Sequence, residues 1–198
     1  IFRTTRKQKT AGGKKVSIIV SVTTRSPRSP DDNYIFVSPT EFKDMISMNL
    51  LFEHNSSYAK NGYGTPISGL RKAIEEGALP CLEIDRIGLT GLLLDGRINP
   101  RLIRSVFVVA PAEDIYNRLV GRGTESSEAI IDRLETAVAE AYYTRLYNSV
   151  VVNNDLSLAV DQVLSAFEGN AVQCEFDIET FCHEMSKIVE KLKNHSIE

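Results

Sequence analysis

At 198 residues, 42% hydrophobic and 25% charged, the chain has the composition of one ordinary domain able to bury a full core, with room for a short appendage. Its 23 Lys and Arg against 26 Asp and Glu leave a net charge of -3, which excludes a protein that coats nucleic acid by bulk charge, so anion binding must come from locally placed cations. Cys81, Cys174 and Cys182 are too scattered for a disulfide framework, and His54, His183 and His195 share no zinc-ligand spacing with them, which predicts a reducing, cytoplasmic home and no resident metal.

In chain order, residues 1–15 carry Arg3, Arg6, Lys7, Lys9, Lys14 and Lys15, with no hydrophobic signal segment. Nor does any later apolar run approach membrane-spanning length. Ile1 rather than Met at the start suggests a portion of something longer. Gly12-Gly13-Lys14-Lys15 abuts an apolar run and reads as a turn. Val16 to Val20 is a β-branched strand, and Tyr34 to Val37 a second, short one. A helix begins at Ser38 as N-cap, with Pro39 at the first helical position, Glu41 closing a capping box and Val37 able to staple onto Phe42. Tyr63-Gly64-Thr65 reads as a Gly-containing loop after Glu53, followed by a helix from Ile67 to Glu76 ended by Gly77.

Leu79 to Ile84 is a strand leading to Asp85, and Val106 to Val109 is the strongest buried-strand signal, followed by a helix that Pro111 opens. A longer helix is expected from about Glu128 to Tyr143, then a strand at Val150 to Val152 and a helix from Leu156 to Phe167. Strands rich in Val and Ile separated by helices predict an α/β fold whose parallel-sheet core is covered on both faces. Ligands of such sheets sit beyond the carboxyl ends of the strands.

Chemistry-bearing residues gather at those ends. Thr23-Thr24-Arg25-Ser26-Pro27-Arg28 follows the first strand, and Pro27 stiffens the chain so that two guanidinium forks can converge on one dianionic phosphate. Taken alone, the pair is equally compatible with a solvated basic loop. Glu83 and Asp85 end another strand, and Arg118-Leu119-Val120-Gly121-Arg122-Gly123-Thr124, with Arg133 one helix on, puts a second Arg group on a glycine-flanked helix-turn-helix. Two separate Arg clusters suit a donor and an acceptor phosphate.

Together these residues resemble the guanylate kinase family. Its T-T-R-x-P-R stands as Thr23 to Arg28, its Y-x-F-V as Tyr34 to Val37 and its Y-G-T/S as Tyr63 to Thr65. Its D-I-D stands as Glu83-Ile84-Asp85, its R-L-x-x-R-G-T as Arg118 to Thr124 and its V-x-N-D/N-D-L as Val151 to Leu156. The resemblance implies a P-loop-type kinase core with a small GMP-binding subdomain at 33–82 and a helical LID at 112–142, all within a domain of residues 1–168. It also implies transfer of the terminal phosphate of ATP, carried with Mg²⁺, to GMP, with no nucleic-acid or membrane partner. By that likeness Ser21, Arg25, Arg28, Tyr34 and Tyr63 hold the GMP phosphate, Glu53 and Thr65 read guanine, and Glu83 and Asp85 complete the substrate site. Arg25, Arg118, Arg122 and Arg133 would be the catalytic charges as the LID closes.

The family's Gly-rich loop, G-x-x-x-x-G-K-S/T, is not among the 198 residues, so it is expected either upstream of Ile1 or lost. On the first expectation, residues 1–15 are the end of the helix that follows such a loop, plus its connection. The second sustains an alternative of another class, a non-catalytic guanylate kinase-like module that binds phosphorylated peptides in the old GMP pocket. Glu83 is one methylene longer than the family's Asp, and the connection from Arg28 to Tyr34 is short and lacks its customary glycine. Residues 169–198 leave the family pattern. There Asp177 caps a helix with Ile178, Phe181, Met185, Ile188, Val189 and Leu192 on one stripe, suited to packing on the domain itself or to docking a partner or second copy.

Overall fold

The structure, a computed structural model, describes residues 10–27, 33–58, 61–121, 123, 126–172 and 175–195. The described residues divide into two compact units, with the boundary between Ile103 and Arg104.

The first unit begins with β1 (Thr10–Ala11) and β2 (Lys14–Ile18), an antiparallel hairpin closed by Gly12 and Gly13 at φ of +55° and +75°. Positive φ at both central residues matches the twist of a two-residue hairpin and is incompatible with a helix. Residues 10–15 are therefore strand and turn, in line with the turn read at Gly12 to Lys15, and residues 1–9, on which the expected helix end falls, lie outside the described residues. β2 continues as the parallel partner of β7 (Leu79–Cys81), with Ile18 opposite Cys81. That strand is shorter than the expected 79–84, and its partner β2 stops at Ile18. Burial pushes the Cys81 thiol up to about 12, which keeps it an unreactive core group.

A second, four-stranded sheet has the order β4 (Ile35–Phe36), β3 (Val22–Thr23), β6 (Asn61–Pro66), β5 (Leu51–Tyr58). β3 runs parallel to β4, and β6 runs antiparallel to both β3 and β5. The expected loop at Tyr63 to Thr65 is thus a central strand. Gly62 and Gly64 carry no local strand preference, but a ladder on each side satisfies the backbone of β6 and decides the matter.

Between β4 and β5, α1 (Pro39–Ser47) starts as its sequence predicts. Ser38 Oγ accepts from Glu41 N at 3.1 Å, Glu41 Oε2 accepts from Ser38 N at 2.7 Å, and Val37 packs into the cluster of Val22, Phe42 and Leu51. Removing the cap hydroxyl with Ser38→Ala should cost about 1 kcal/mol, read as a lower urea midpoint at unchanged slope. α2 (Ile67–Glu75) lays Leu70 and Ala73 against Ile19. α3 (Arg86–Asp95) was not expected, because two glycines in ten residues mask its pattern, and it forms by capping on Asp85 and burying Leu89 and Leu92.

The second unit is built on a parallel pair, β8 (Val106–Val109) and β9 (Ser149–Val152), in register from Val106 opposite Ser149 to Val109 opposite Val152. α4 (Ala112–Val120) starts one residue after Pro111, which occupies the cap position. α5 (Ser127–Ala141) follows, and α6 (Leu156–Phe167) packs on β9 and keeps its expected bounds. α7 (Ile178–His195) is held at its start by Asp177, whose two oxygens accept from Glu179 N at 3.0 Å and Thr180 Oγ1 at 2.7 Å. Its stripe of Phe181, Met185, Ile188 and Val189 is buried with Leu119, Ile131 and Leu134 of α4 and α5, so the helix completes the core of its own unit. Among the described residues no helix is long and apolar enough to cross a membrane.

Candidate functional site

Two groups of polar residues lie in the first unit, both on the four-stranded sheet and its margins. At the first, Thr23 and Thr24 fasten the end of β3 to β6. Thr23 Oγ1 donates to the Gly62 carbonyl at 2.9 Å, Thr24 N donates to the same oxygen at 3.0 Å, and Gly62 N donates to Thr24 Oγ1 at 2.7 Å. The fully buried Thr23 hydroxyl also accepts from Arg25 N at 3.2 Å, so both of its functions are used. This explains two successive threonines before an arginine: they hold the backbone where Arg25 leaves the sheet.

The Arg25 guanidinium is steered by what surrounds it. Its Nη1 donates to the Ser26 carbonyl at 2.8 Å, and its Cζ lies 5.6 Å from the Tyr34 ring centroid and 5.8 Å from that of Phe36. Tyr34 in turn meets Tyr63 edge to face at 6.0 Å. The structure therefore brings Arg25, Tyr34 and Tyr63 together, a permanent cation beside two phenols. Ser21 is buried just before β3, and its carbonyl accepts from Ile35 N at 3.0 Å. Arg28 lies outside the described residues.

At the second group, Glu53 of β5 stands opposite Thr65 of β6 in the ladder, and Thr65 Oγ1 donates to Glu53 Oε1 at 2.6 Å. Thr65 is 1% exposed. Burial pushes the Glu53 carboxyl above the ordinary carboxylate range, the Thr65 hydrogen bond pulls it back, and the charge of Asp85 pushes it up again. Asp85 caps α3, with Oδ1 accepting from Gly88 N at 2.8 Å, while its Oδ2 accepts from Asn55 Nδ2. Glu53 Oε2 fills the space beside Gly88, where an added Cβ would come within 2.7 Å of it. Arg97, just past α3, donates to the Phe52 carbonyl at 2.6 Å and to Asp95 Oδ2 at 2.7 Å, clamping the helix to β5 next to Glu53. Glu83 is exposed, two residues before Asp85.

Asn55, Gly88 and Arg97 were not singled out from sequence. Asn55 alone carried a signal: two residues beyond Glu53, it shares that residue's face on any strand running through 51–58. Among the described residues no group of three His, Cys, Asp or Glu could hold a metal ion.

In the second unit Arg118 of α4 donates from Nη2 to Asp114 Oδ2 at 3.3 Å and to the Asn153 carbonyl at 3.1 Å, which ties α4 to the end of β9. Arg133 is exposed on α5, and Arg122 lies outside the described residues.

The guanylate kinase family model matches residues 8–170, more than four-fifths of the chain. The chain belongs to the guanylate kinase family. The guanylate kinase of Mycoplasmoides gallisepticum is 35% identical over 153 residues, covering 75% of this chain and 76% of that protein. That of Desulfitobacterium hafniense is 39% identical over 155 residues, covering 76% of this chain and 75% of that protein. Among solved structures, guanylate kinase from Anaplasma phagocytophilum superimposes with a TM-score of 0.62 at 26% identity, over 78% of this chain and 75% of that one. Family membership and the α/β kinase fold thus agree with the motif order read along the sequence. The match ends at residue 170, before the amphipathic helix α7.

Proposed function

We propose that this protein is an ATP:GMP phosphotransferase that takes GMP in its first unit, with Glu53 and Thr65 on the base and Arg25, Arg28, Tyr34, Tyr63 and Ser21 around the phosphate. The observation that supports this best is the acceptor and donor pair of Glu53 and Thr65 on one ladder rung, in the same sheet that ends in Arg25, Tyr34 and Tyr63. Guanine offers N1–H and N2–H donors to a carboxylate and an O6 acceptor to a hydroxyl. The Thr65 hydroxyl, a free rotor, can turn from Glu53 to O6 once the base donors occupy the carboxylate. Adenine presents the reverse pattern and would leave buried polar groups unpaired, so guanine is preferred.

In the transfer, a GMP phosphate oxygen forms a bond to the γ-phosphorus of MgATP as the bond to the β-phosphate oxygen breaks, and ADP leaves. Such a loose, charge-rich transition state demands alignment and neutralisation rather than a general base. Arg25 acts on the acceptor, while Arg118, Arg122 and Arg133 of a LID at 112–142 supply positive charge as the LID closes, with the GMP-binding subdomain at 33–82 taking the acceptor. Mg²⁺ enters with ATP as part of that substrate. Asp85 gains support as a substrate residue from its place beside Glu53, whereas Glu83 rests on the family motif alone. The cytoplasm, where GMP and ATP are both at hand, is the location that fits this reading.

The deciding assay is GDP formation from GMP and MgATP by the intact protein. A folded sample with no turnover that binds a phosphorylated peptide in competition with GMP would establish the interaction module instead. Gly88→Ala provides a finer check. The new methyl displaces the end of Glu53 and meets Ile84 Cβ at 3.3 Å, crowding that the gain in helix propensity offsets, so GMP affinity should fall about fivefold with little change in the urea midpoint.

A further inference from the structure

Asn55 is 9% exposed, and a buried side-chain amide needs partners. The ladder is unbroken from Glu53 opposite Thr65 to Asn55 opposite Tyr63, so the side chains of Glu53 and Asn55 leave β5 on the same face. Both are used at the start of α3: Glu53 Oε2 lies against Gly88, and Asn55 Nδ2 donates to Asp85 Oδ2. The other Asp85 oxygen is held by Gly88 N, so one backbone donor and one side-chain donor together set the plane of the Asp85 carboxylate.

That arrangement holds two carboxylates within each other's field, which is unfavourable unless donors fix them. If Asn55 did not donate, Asp85 could keep its helix cap through Oδ1 and swing Oδ2 away from Glu53. We propose that Asn55 is a positioning residue for guanine selection, holding the Asp85 carboxylate beside Glu53 so that two acceptors instead of one face the donor edge of the base. The proposal rests on the reading of Glu53 as the base-reading group. Guanine carries three hydrogens on N1 and N2. One carboxylate accepts two of them, and the third needs a second acceptor. Hypoxanthine lacks the 2-amino group and has no use for that second acceptor, so the role of Asn55 is visible in the discrimination between GMP and IMP and not in overall affinity.

The test is calorimetric titration of the parent protein and of Asn55→Leu, Asn55→Ser and Glu53→Gln with GMP and with IMP. Leu matches Asn in size and removes the donor, whereas Ser keeps a hydroxyl donor of shorter reach. Asn55→Leu should lower GMP affinity about tenfold and leave IMP within about twofold, with Asn55→Ser between Leu and the parent. An unchanged ratio of GMP to IMP affinity, or an equal loss of both nucleotides, in a variant that melts cooperatively overturns the role of Asn55 while leaving Glu53 in place. Should Asn55→Leu fail to fold, the same ratio in Asn55→Ser decides. If Glu53→Gln binds GMP as the parent does, the reading of Glu53 fails, and the role of Asn55 falls with it.

Discussion

Glu53→Gln is expected to fold normally and to bind GMP about a hundredfold more weakly, since two hydrogen bonds to a charged acceptor are lost at about 1.5 kcal/mol or more each. The variant keeps an oxygen for the Thr65 hydroxyl but replaces the other with an amide that offers hydrogens to the hydrogens of N1 and N2. Discrimination against AMP should collapse with it, because an amide can serve either purine. Calorimetry with both nucleotides measures this, and an affinity for GMP equal to the parent's would remove Glu53 from the base.

The same substitution has a signature in pH. The Glu53 carboxyl is raised above its unfolded value, first by burial, so the folded chain holds this proton more tightly than the unfolded chain does. A raised carboxyl contributes stability below its unfolded pKa, and that contribution is lost as pH rises through the folded value. Gln is neutral throughout, so the unliganded variant should melt higher than the parent at neutral pH, and the gap should close as pH falls into the ordinary carboxylate range. Binding runs the other way. GMP needs the ionised acceptor, so the affinity of the parent should decline as pH drops through the raised value while that of the variant stays flat.

Arg25→Ala should weaken GMP by about a hundredfold and leave guanosine unaffected, because a charge-assisted contact to phosphate is lost and the base contacts are not. Arg25→Lys should recover only part of the loss. Lys keeps the charge, but it has no flat fork to lie against Tyr34 and Phe36 or to grip two phosphate oxygens at once. Paired titrations with GMP and guanosine measure both effects. Equal losses for the two ligands would mean that Arg25 acts through the fold around β3 and not on phosphate.

The placement of Glu53 and of the Arg25 segment could be read from motif order, yet the partners that make each of them specific could not. Thr23 and Thr24 are visible in the sequence only as part of a motif. Their work, gripping Gly62 from 38 and 39 residues away, exists only once β3 and β6 are paired. The bond from Asn55 to Asp85 spans 30 residues in the same way. Each depends on the strand at 61–66, whose glycines argue locally for a loop and whose pairing partners lie far along the chain.

What the chain determines by itself is local and cooperative within a few residues. It includes the capping box at Ser38 and Glu41, the two-glycine hairpin before Lys14, the Asp177 cap, the β-branched runs of β8 and β9, and an order of motifs dense enough to point to one family. The tertiary structure alone decides that Tyr63 to Thr65 is a central strand, that a helix with two glycines follows Asp85, and that the strand carrying Glu53 and Asn55 lies against the start of that helix. Caps and turns are satisfied by neighbouring backbone atoms, so their residues reveal them. A buried carboxylate takes its character from donors and charges that only the folded chain brings within hydrogen-bonding distance.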